Sequence, residues 1–124
     1  MAEQRLLVII DDEEDILDLL EYNFLRVGFC VEAFNRAKPA LEFLSQKKPA
    51  AILCDWMMPE MTGLELCRAI KENISLADIP FLMVTCRTET SAVKMALAEG
   101  VTDYIRKPVR ISDLIGKVQT IIGV

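Results

Sequence analysis

Apolar runs and amphipathic segments alternate along the whole chain. Five short runs are strand-like, and each precedes a segment whose apolar residues recur every three or four positions, which is typical of a helix face. The run from Ala50 to Cys54 is too apolar to alternate and predicts a strand buried on both faces. The predicted strands are 5–10, 30–34, 50–54, 79–85 and 103–106, and the predicted helices are one that ends at Gly28, then 38–46, 62–74, 88–99 and 112–122.

Two of the predicted helices have a well-defined apolar face. We expect the first to bury Ile16, Leu20, Phe24 and Val27, and the third to bury Leu64, Cys67, Ile70 and Ile74.

The strict alternation of strands and helices predicts a doubly wound (βα)5 fold. Right-handed crossovers then give a parallel five-stranded sheet with helices on both faces. In the flavodoxin-like strand order 2-1-3-4-5, the first and third strands are neighbours at the switch point, and ligands bind beyond the carboxyl ends of the strands there. We expect residues 1–124 to form this one domain.

Composition and charge narrow the class of protein. With 52% hydrophobic and 27% charged residues, the 124-residue chain is typical of a soluble globular domain. Its net charge of −5 argues against direct binding of nucleic acid, which requires clustered basic residues. Neither a signal peptide nor a membrane-spanning run is apparent, so the predicted location is the cytoplasm.

The four cysteines predict neither a disulfide framework nor a zinc site. They contain no C-x-x-C pair, and the chain has no histidine. We therefore expect free thiols. Cys30, Cys54 and Cys67 occupy apolar positions typical of core residues, whereas Cys86 does not.

Polar side chains follow four of the five predicted strands: Asp11 and Asp12, Asp55, Thr85, and Lys107. Three carboxylates at one sheet edge repel one another, and Lys107 supplies a single countercharge. A divalent cation would balance the remaining negative charge. Carboxylate oxygens in a site without histidine favour Mg²⁺, for which Mn²⁺ can substitute. Asp55 could equally cap the next helix, and helix-start preference explains Glu13 well but the two aspartates poorly.

These residues, taken with their neighbours, resemble the receiver domain of bacterial response regulators. The match covers nearly the whole chain and rests on five short motifs, each at its own strand end: Asp11-Asp12, Asp55 before Met57-Met58-Pro59 and Gly63, Thr85, Asp103-Tyr104, and Lys107-Pro108.

The resemblance implies a phosphorylation switch and not an enzyme with a separate substrate. Asp55 would accept a phosphoryl group from a phosphohistidine of a sensor kinase or phosphotransfer protein. Asp12, Asp55 and the main-chain carbonyl of Met57 would bind Mg²⁺ directly, and Asp11 would hold it through water. Lys107 would pair first with Asp55 and then with a phosphoryl oxygen.

The resemblance also implies a route from the acceptor to a partner. Thr85 and Tyr104 would form a switch pair, in which the hydroxyl moves to the phosphoryl group and the ring fills the space it leaves. Output would pass through the fourth helix, fifth strand and fifth helix to a downstream protein, a following output domain or a second copy. Trp56 is expected to be partly exposed in the loop after Asp55.

A few residues depart from the commonest pattern of the family. Cys86 stands where a small residue is usual and Val109 where phenylalanine is usual, while Arg87 and Met57 lie at positions that vary. Because the chain stops soon after its last helix, we expect either a stand-alone regulator of the chemotaxis type or a receiver cut from a longer protein.

Three other protein classes could use an aspartate at a strand end of such a fold. A haloacid-dehalogenase-type phosphatase needs an aspartate where Met57 stands, and a nucleotide binder needs glycine-rich loops that the sequence lacks. A receiver-like binding module that acts without phosphorylation remains open, as does the cis or trans state of the bond before Pro108.

Overall fold

The computed structural model describes residues 5–87 and 89–124. Residues 1–4, at the start of the chain, and residue 88, the predicted start of the fourth helix, lie outside this range. In chain order the elements are β1 (Leu6–Ile10), α1 (Glu14–Arg26), β2 (Cys30–Phe34), α2 (Ala37–Leu44), β3 (Ala51–Cys54), α3 (Gly63–Glu72), β4 (Phe81–Thr85), α4 (Thr90–Ala98), β5 (Asp103–Arg106) and α5 (Ile111–Ile122). Within the described ranges, no helix combines the length and apolarity that crossing a membrane requires.

The five strands form one parallel sheet in the order β2-β1-β3-β4-β5, which confirms the predicted fold class. The chain leaves β1 toward β2 on one side and returns to β3 on the other, so β1 and β3 flank the switch point. Ile10, the last residue of β1, pairs in register with Cys54, the last residue of β3. Asp11 and Asp55 therefore leave the sheet side by side at its carboxyl edge.

Helices cover both faces of the sheet, so the three central strands β1, β3 and β4 are buried on both sides, whereas the edge strands β2 and β5 are only partly buried. Alternate strand residues, such as Val8 and Ile10 of β1, pack with α2, α3 and α4. The intervening residues, such as Leu7 and Ile9, pack with α1 and α5. This double burial explains why the three central strands appear in the sequence as unbroken apolar runs.

Helix α3 begins directly against the loop that carries Asp55. Thr62 accepts a hydrogen bond from the Glu65 amide at 3.2 Å, and the Glu65 carboxylate accepts one from the Thr62 amide at 2.9 Å, forming a capping box. A β-carbon on Gly63 would lie 2.2 Å from the main-chain oxygen of Asp55, so the helix approaches this peptide closely. Because Thr62 is the cap, the alternative that Asp55 caps α3 is wrong.

The predicted apolar face of α1 is wrong at its last position. Leu20 and Phe24 are buried, but the helix ends at Arg26, and Val27 is 46% exposed. Gly28, at a φ of +99°, reverses the chain, and the Phe29 amide donates back to the Phe24 carbonyl at 3.1 Å. Phe29 thereby enters the core where a longer helix would have placed Val27.

The predicted face of α3 is likewise wrong at its last residue. The helix ends at Glu72, and Ile74 is 94% exposed. The Asn73 side chain accepts a hydrogen bond from the Ser75 amide at 2.9 Å, which turns the chain away from the helix. Leu76 occupies the core instead.

The four cysteines form no disulfide. Cys54 and Cys67 lie in the core and Cys30 is half-buried, whereas Cys86 is exposed. Burial raises the pKa of Cys67 to about 11, so this thiol stays protonated at neutral pH. It acts as a small core residue.

Candidate functional site

Three carboxylates meet at the carboxyl edge of the sheet, beyond β1 and β3. Asp11 and Asp55 are only 2% and 6% exposed, whereas Asp12 faces solvent. One oxygen from each of the three lies within 4.8 Å of the others. The parallel register brings Asp11 and Asp55 together, since each follows the last residue of a paired strand.

Lys107, in the loop after β5, supplies the positive charge of this cluster. Its ammonium donates to Asp11 at 2.8 Å, to Glu13 at 3.0 Å and to Asp55 at 3.1 Å. Its side chain is only 7% exposed, and the peptide bond to Pro108 is cis. The ammonium is therefore a fixed charge between the two buried aspartates.

For both Lys107 and Asp11, burial and ion pairing shift the pKa in opposite directions. Burial alone would lower the pKa of Lys107, but its hydrogen bonds to Asp11 and Glu13 outweigh this and raise it. Burial raises the pKa of Asp11, although the bonds from Lys107 and the Glu13 amide oppose the shift. Lys107 is thus charged at neutral pH, while the ionised form of Asp11 carries a desolvation cost.

Glu13 is a member of the site that sequence reasoning missed. The sequence assigned it only to the start of the first helix, yet its carboxylate reaches Lys107. Its amide donates to the Asp11 carboxylate at 2.9 Å, which fixes the turn between β1 and α1. An aspartate often accepts a hydrogen bond from the amide two residues later. The Asp-x-Glu spacing of residues 11–13 is therefore the local signal that would have placed Glu13 in the site.

The donor set suits a hard divalent cation such as Mg²⁺ or Mn²⁺. Asp11, Asp12 and Asp55 offer carboxylate oxygens within reach of one ion. The site holds four carboxylates, Glu13 included, and a single ammonium, which contacts three of them. The nearby thiol of Cys54 is held protonated, because burial and the neighbouring Asp55 raise its pKa well above the ordinary value. Oxygen is therefore the available ligand.

Thr85 and Tyr104 both contact Arg87. Thr85, at the end of β4, is only 1% exposed, and its hydroxyl accepts from the Arg87 amide at 3.3 Å. The Tyr104 hydroxyl, from β5, donates to the Arg87 carbonyl. The two predicted switch residues are thus linked through a single peptide segment.

Trp56 is buried, and the prediction that it would be partly exposed is wrong. It is 4% exposed, because the Arg87 guanidinium lies 4.4 Å from its ring centroid and the Tyr104 ring lies 6.3 Å away, edge-on. The Gly63 amide also donates to the Trp56 carbonyl at 2.8 Å, which folds the loop inward. Met57, the next residue, is 57% exposed.

A (βα)5 sheet whose carboxyl edge carries an acidic triad and a buried lysine defines the class of signalling receiver domains. The family model described as "Response regulator receiver domain" matches residues 7–119, and the chain belongs to this family. Members of the family are signalling switches, not dedicated enzymes.

Curated relatives include two phosphate regulon transcriptional regulatory proteins PhoB. The one from Rhizobium meliloti (strain 1021) is 33% identical over 116 residues, which cover 94% of this chain and 51% of the relative. The one from Pseudomonas aeruginosa is 32% identical over 119 residues, covering 95% and 52%. The chain spans about half the length of these relatives.

Solved receiver structures superpose closely on the fold. The signal receiver domain of a signal transduction histidine kinase from Syntrophus aciditrophicus has a TM-score of 0.89 at 28% identity, over 96% of this chain and 90% of that one. The receiver domain of sensor histidine kinase PA1611 from Pseudomonas aeruginosa, which has a magnesium ion coordinated in its active site cleft, has a TM-score of 0.89 at 20% identity, over 98% and 100%. At 20% identity, the second likeness shows the fold alone.

Proposed function

We propose that Asp55 is the phosphoryl acceptor of a two-component signalling switch, with residues 1–124 as its receiver domain. One observation carries this proposal: a buried carboxylate at a strand end contacts a buried ammonium and lies beside two further carboxylates. The donor would be a phosphohistidine of a sensor kinase or phosphotransfer protein, because the chain has no histidine of its own. We place this exchange in the cytoplasm.

The transfer step uses groups that the site holds in place. An Asp55 carboxylate oxygen forms a bond to phosphorus while the phosphorus–nitrogen bond of the donor breaks, and the electron pair of that bond stays on the imidazole. Transfer of this kind needs positioning and charge stabilisation more than covalent chemistry from the protein. Lys107, now bonded to Asp55 at 3.1 Å, would then donate to a phosphoryl oxygen.

The acidic residues would hold Mg²⁺ beside the acceptor. Asp12, Asp55 and the carbonyl of Met57 would bind it directly, and Asp11 through water. When bound, the ion supplies positive charge that offsets the oxygens of the phosphoryl group.

The route to a partner would run through Thr85 and Tyr104. A phosphoryl group on Asp55 adds strong acceptor oxygens, and Thr85 offers a buried neutral donor. Movement of its hydroxyl would change what holds Tyr104, which lies on the face formed by α4, β5 and α5. We propose that this face binds a downstream protein, an output domain or a second copy of the chain.

Intact-mass analysis after incubation with Mg²⁺ and a small acyl phosphate tests the acceptor. We expect wild type to gain the mass of one phosphoryl group and Asp55→Asn to gain none. Asp18→Asn, which removes an exposed acid from α1, is the matched control and should label like wild type. Equal labelling of Asp55→Asn would place the acceptor elsewhere. Failure of wild type to label would favour the phosphorylation-independent binding module.

A further inference from the structure

Arg87 contacts three functional neighbours at once. Its main chain accepts from the Tyr104 hydroxyl and donates to the Thr85 hydroxyl at 3.3 Å. Its guanidinium stacks on Trp56 with the central carbon 4.4 Å from the ring centroid, and its Nε lies 3.5 Å from Glu89. One residue thereby connects the loop after β3, the end of β4 and the middle of β5.

We propose that the stack of Arg87 on Trp56 is a latch that holds the switch in its resting arrangement. Arg87 is then a positioning residue, which acts on Thr85 and Tyr104 through its own peptide groups. This inference rests on the proposed role of Asp55 as phosphoryl acceptor, but the latch in the unmodified protein can be tested without it.

Trp56 provides the fixed side of the latch. It is 4% exposed, and its carbonyl accepts from the Gly63 amide at 2.8 Å, at the start of α3. The ring also meets Tyr104 edge-on. Arg87, by contrast, has a side chain 37% exposed, and it belongs to the loop after β4. The guanidinium is thus the partner that can leave.

Two effects of a phosphoryl group on Asp55 would open the latch. If the Thr85 hydroxyl moves toward the phosphoryl oxygens, it gives up its bond from the Arg87 amide, which is already long at 3.3 Å. The new anion, one residue from Trp56, also competes with the ring for the guanidinium, because charge-assisted hydrogen bonds are stronger than a partly exposed cation–π contact. Both effects uncover Trp56.

Trp56 is the only tryptophan in the chain, so its fluorescence reports the latch directly. The measurement is acrylamide quenching with Mg²⁺ alone and with Mg²⁺ plus a small acyl phosphate, with labelling followed by intact mass. For wild type, we expect weak quenching that rises on labelling. For Arg87→Ala, quenching should already be high without phosphate and change less than half as much on labelling. Labelling itself should persist.

Two matched variants separate stacking from charge. Arg87→Lys retains a cation near Glu89 but lacks the planar face, so its quenching should lie between wild type and Arg87→Ala. Glu89→Gln removes the ion pair and should leave quenching close to that of wild type. Circular dichroism confirms that each variant is folded, and Arg87→Gln replaces Arg87→Ala if the latter is not.

A third comparison tests the link to the switch residues without phosphorylation. Tyr104→Phe removes the hydroxyl that holds the Arg87 carbonyl, so the latch should loosen and Trp56 quenching should rise. In the double variant Tyr104→Phe, Arg87→Ala, the rise in Trp56 quenching should be smaller than the sum of the rises in the two single variants, because both substitutions act on the same contact. The stack should shift the latch equilibrium by about two- to fivefold, the range expected for an exposed cation–π pair.

The proposal is overturned if unmodified Arg87→Ala is quenched no more than wild type. It also fails if fully labelled wild type shows the same Trp56 quenching as the unlabelled protein. Absence of any labelling would instead refute the acceptor role of Asp55, and the Arg87→Ala and Tyr104→Phe comparisons in unmodified protein would still decide the latch.

Discussion

Removing the charge of Asp12 should stabilise the metal-free protein. Asp12 is exposed and has no bond to Lys107, yet its carboxylate lies within 4.8 Å of those of Asp11 and Asp55. At 4.8 Å, two like charges repel by about 0.9 kcal/mol in water and about 3.5 kcal/mol at a dielectric of 20. Because Asp12 faces solvent, the water-like value applies. Two such pairs sum to just under about 2 kcal/mol, and attraction by the Lys107 ammonium, which is bonded to both partners, offsets part of this, which leaves about 1–2 kcal/mol.

Urea denaturation of wild type and Asp12→Asn in EDTA at low salt measures this difference. We expect the variant to be more stable by about 1–2 kcal/mol, with the gap narrowing as salt screens the charges. With Mg²⁺ at about 100 times its dissociation constant, wild type should gain about 2.7 kcal/mol, while the variant, which lacks a ligand, gains little. The order of stability should therefore reverse.

Asp18→Asn removes the same charge from an exposed position on α1 outside the cluster. It separates local repulsion from the effect of net charge, and it should follow wild type in both conditions. If Asp12→Asn is no more stable than wild type in EDTA, the carboxylates do not repel as argued. If it gains as much from Mg²⁺ as wild type, Asp12 is not a ligand.

Three further predictions follow from the same contacts. Lys107→Met leaves two buried carboxylates unpaired and should lower the free energy of unfolding, measured by urea denaturation, by about 3–5 kcal/mol. The control Lys117→Met, which breaks an exposed ion pair with Asp103, should lower it by less than about 1 kcal/mol. Gly63→Ala places a β-carbon 2.2 Å from the main-chain oxygen of Asp55 and should lower the free energy of unfolding by about 1–3 kcal/mol. The control Gly116→Ala, which has open space around it in α5, should raise it by up to about 1 kcal/mol in the same urea denaturation. Burial raises the pKa of Asp11 above 3.8, so its charged form weakens the fold at neutral pH and that cost disappears as pH falls through the raised pKa. The difference in free energy of unfolding between wild type and Asp11→Asn should accordingly shift in favour of wild type as the pH falls from neutral through the raised pKa, which urea denaturation in EDTA measures. A shift in favour of Asp11→Asn on acidification would contradict the direction of the pKa shift.

The sequence by itself determined the fold and the location of the site. Helical and strand periodicity are local properties, so the order of the ten elements followed from the apolar pattern. In a parallel sheet all carboxyl ends lie at one edge, so Asp11, Asp55 and Lys107 could be placed together before any contact was known. The family motifs at the strand ends were equally visible in the sequence.

Only the tertiary structure decided how the loops close over that edge. Two contacts depend on the path of irregular segments, which no hydrophobic period encodes. They are the ion pair of Glu13 with Lys107 and the stacking of Arg87 on the buried Trp56. The ends of α1 and α3 were mispredicted for a related reason: Val27 and Ile74 fit the helical period, but turn hydrogen bonds redirected the chain and gave their core positions to other residues. Periodicity fixes which face of an element is buried, whereas side-chain and turn contacts fix where the element stops.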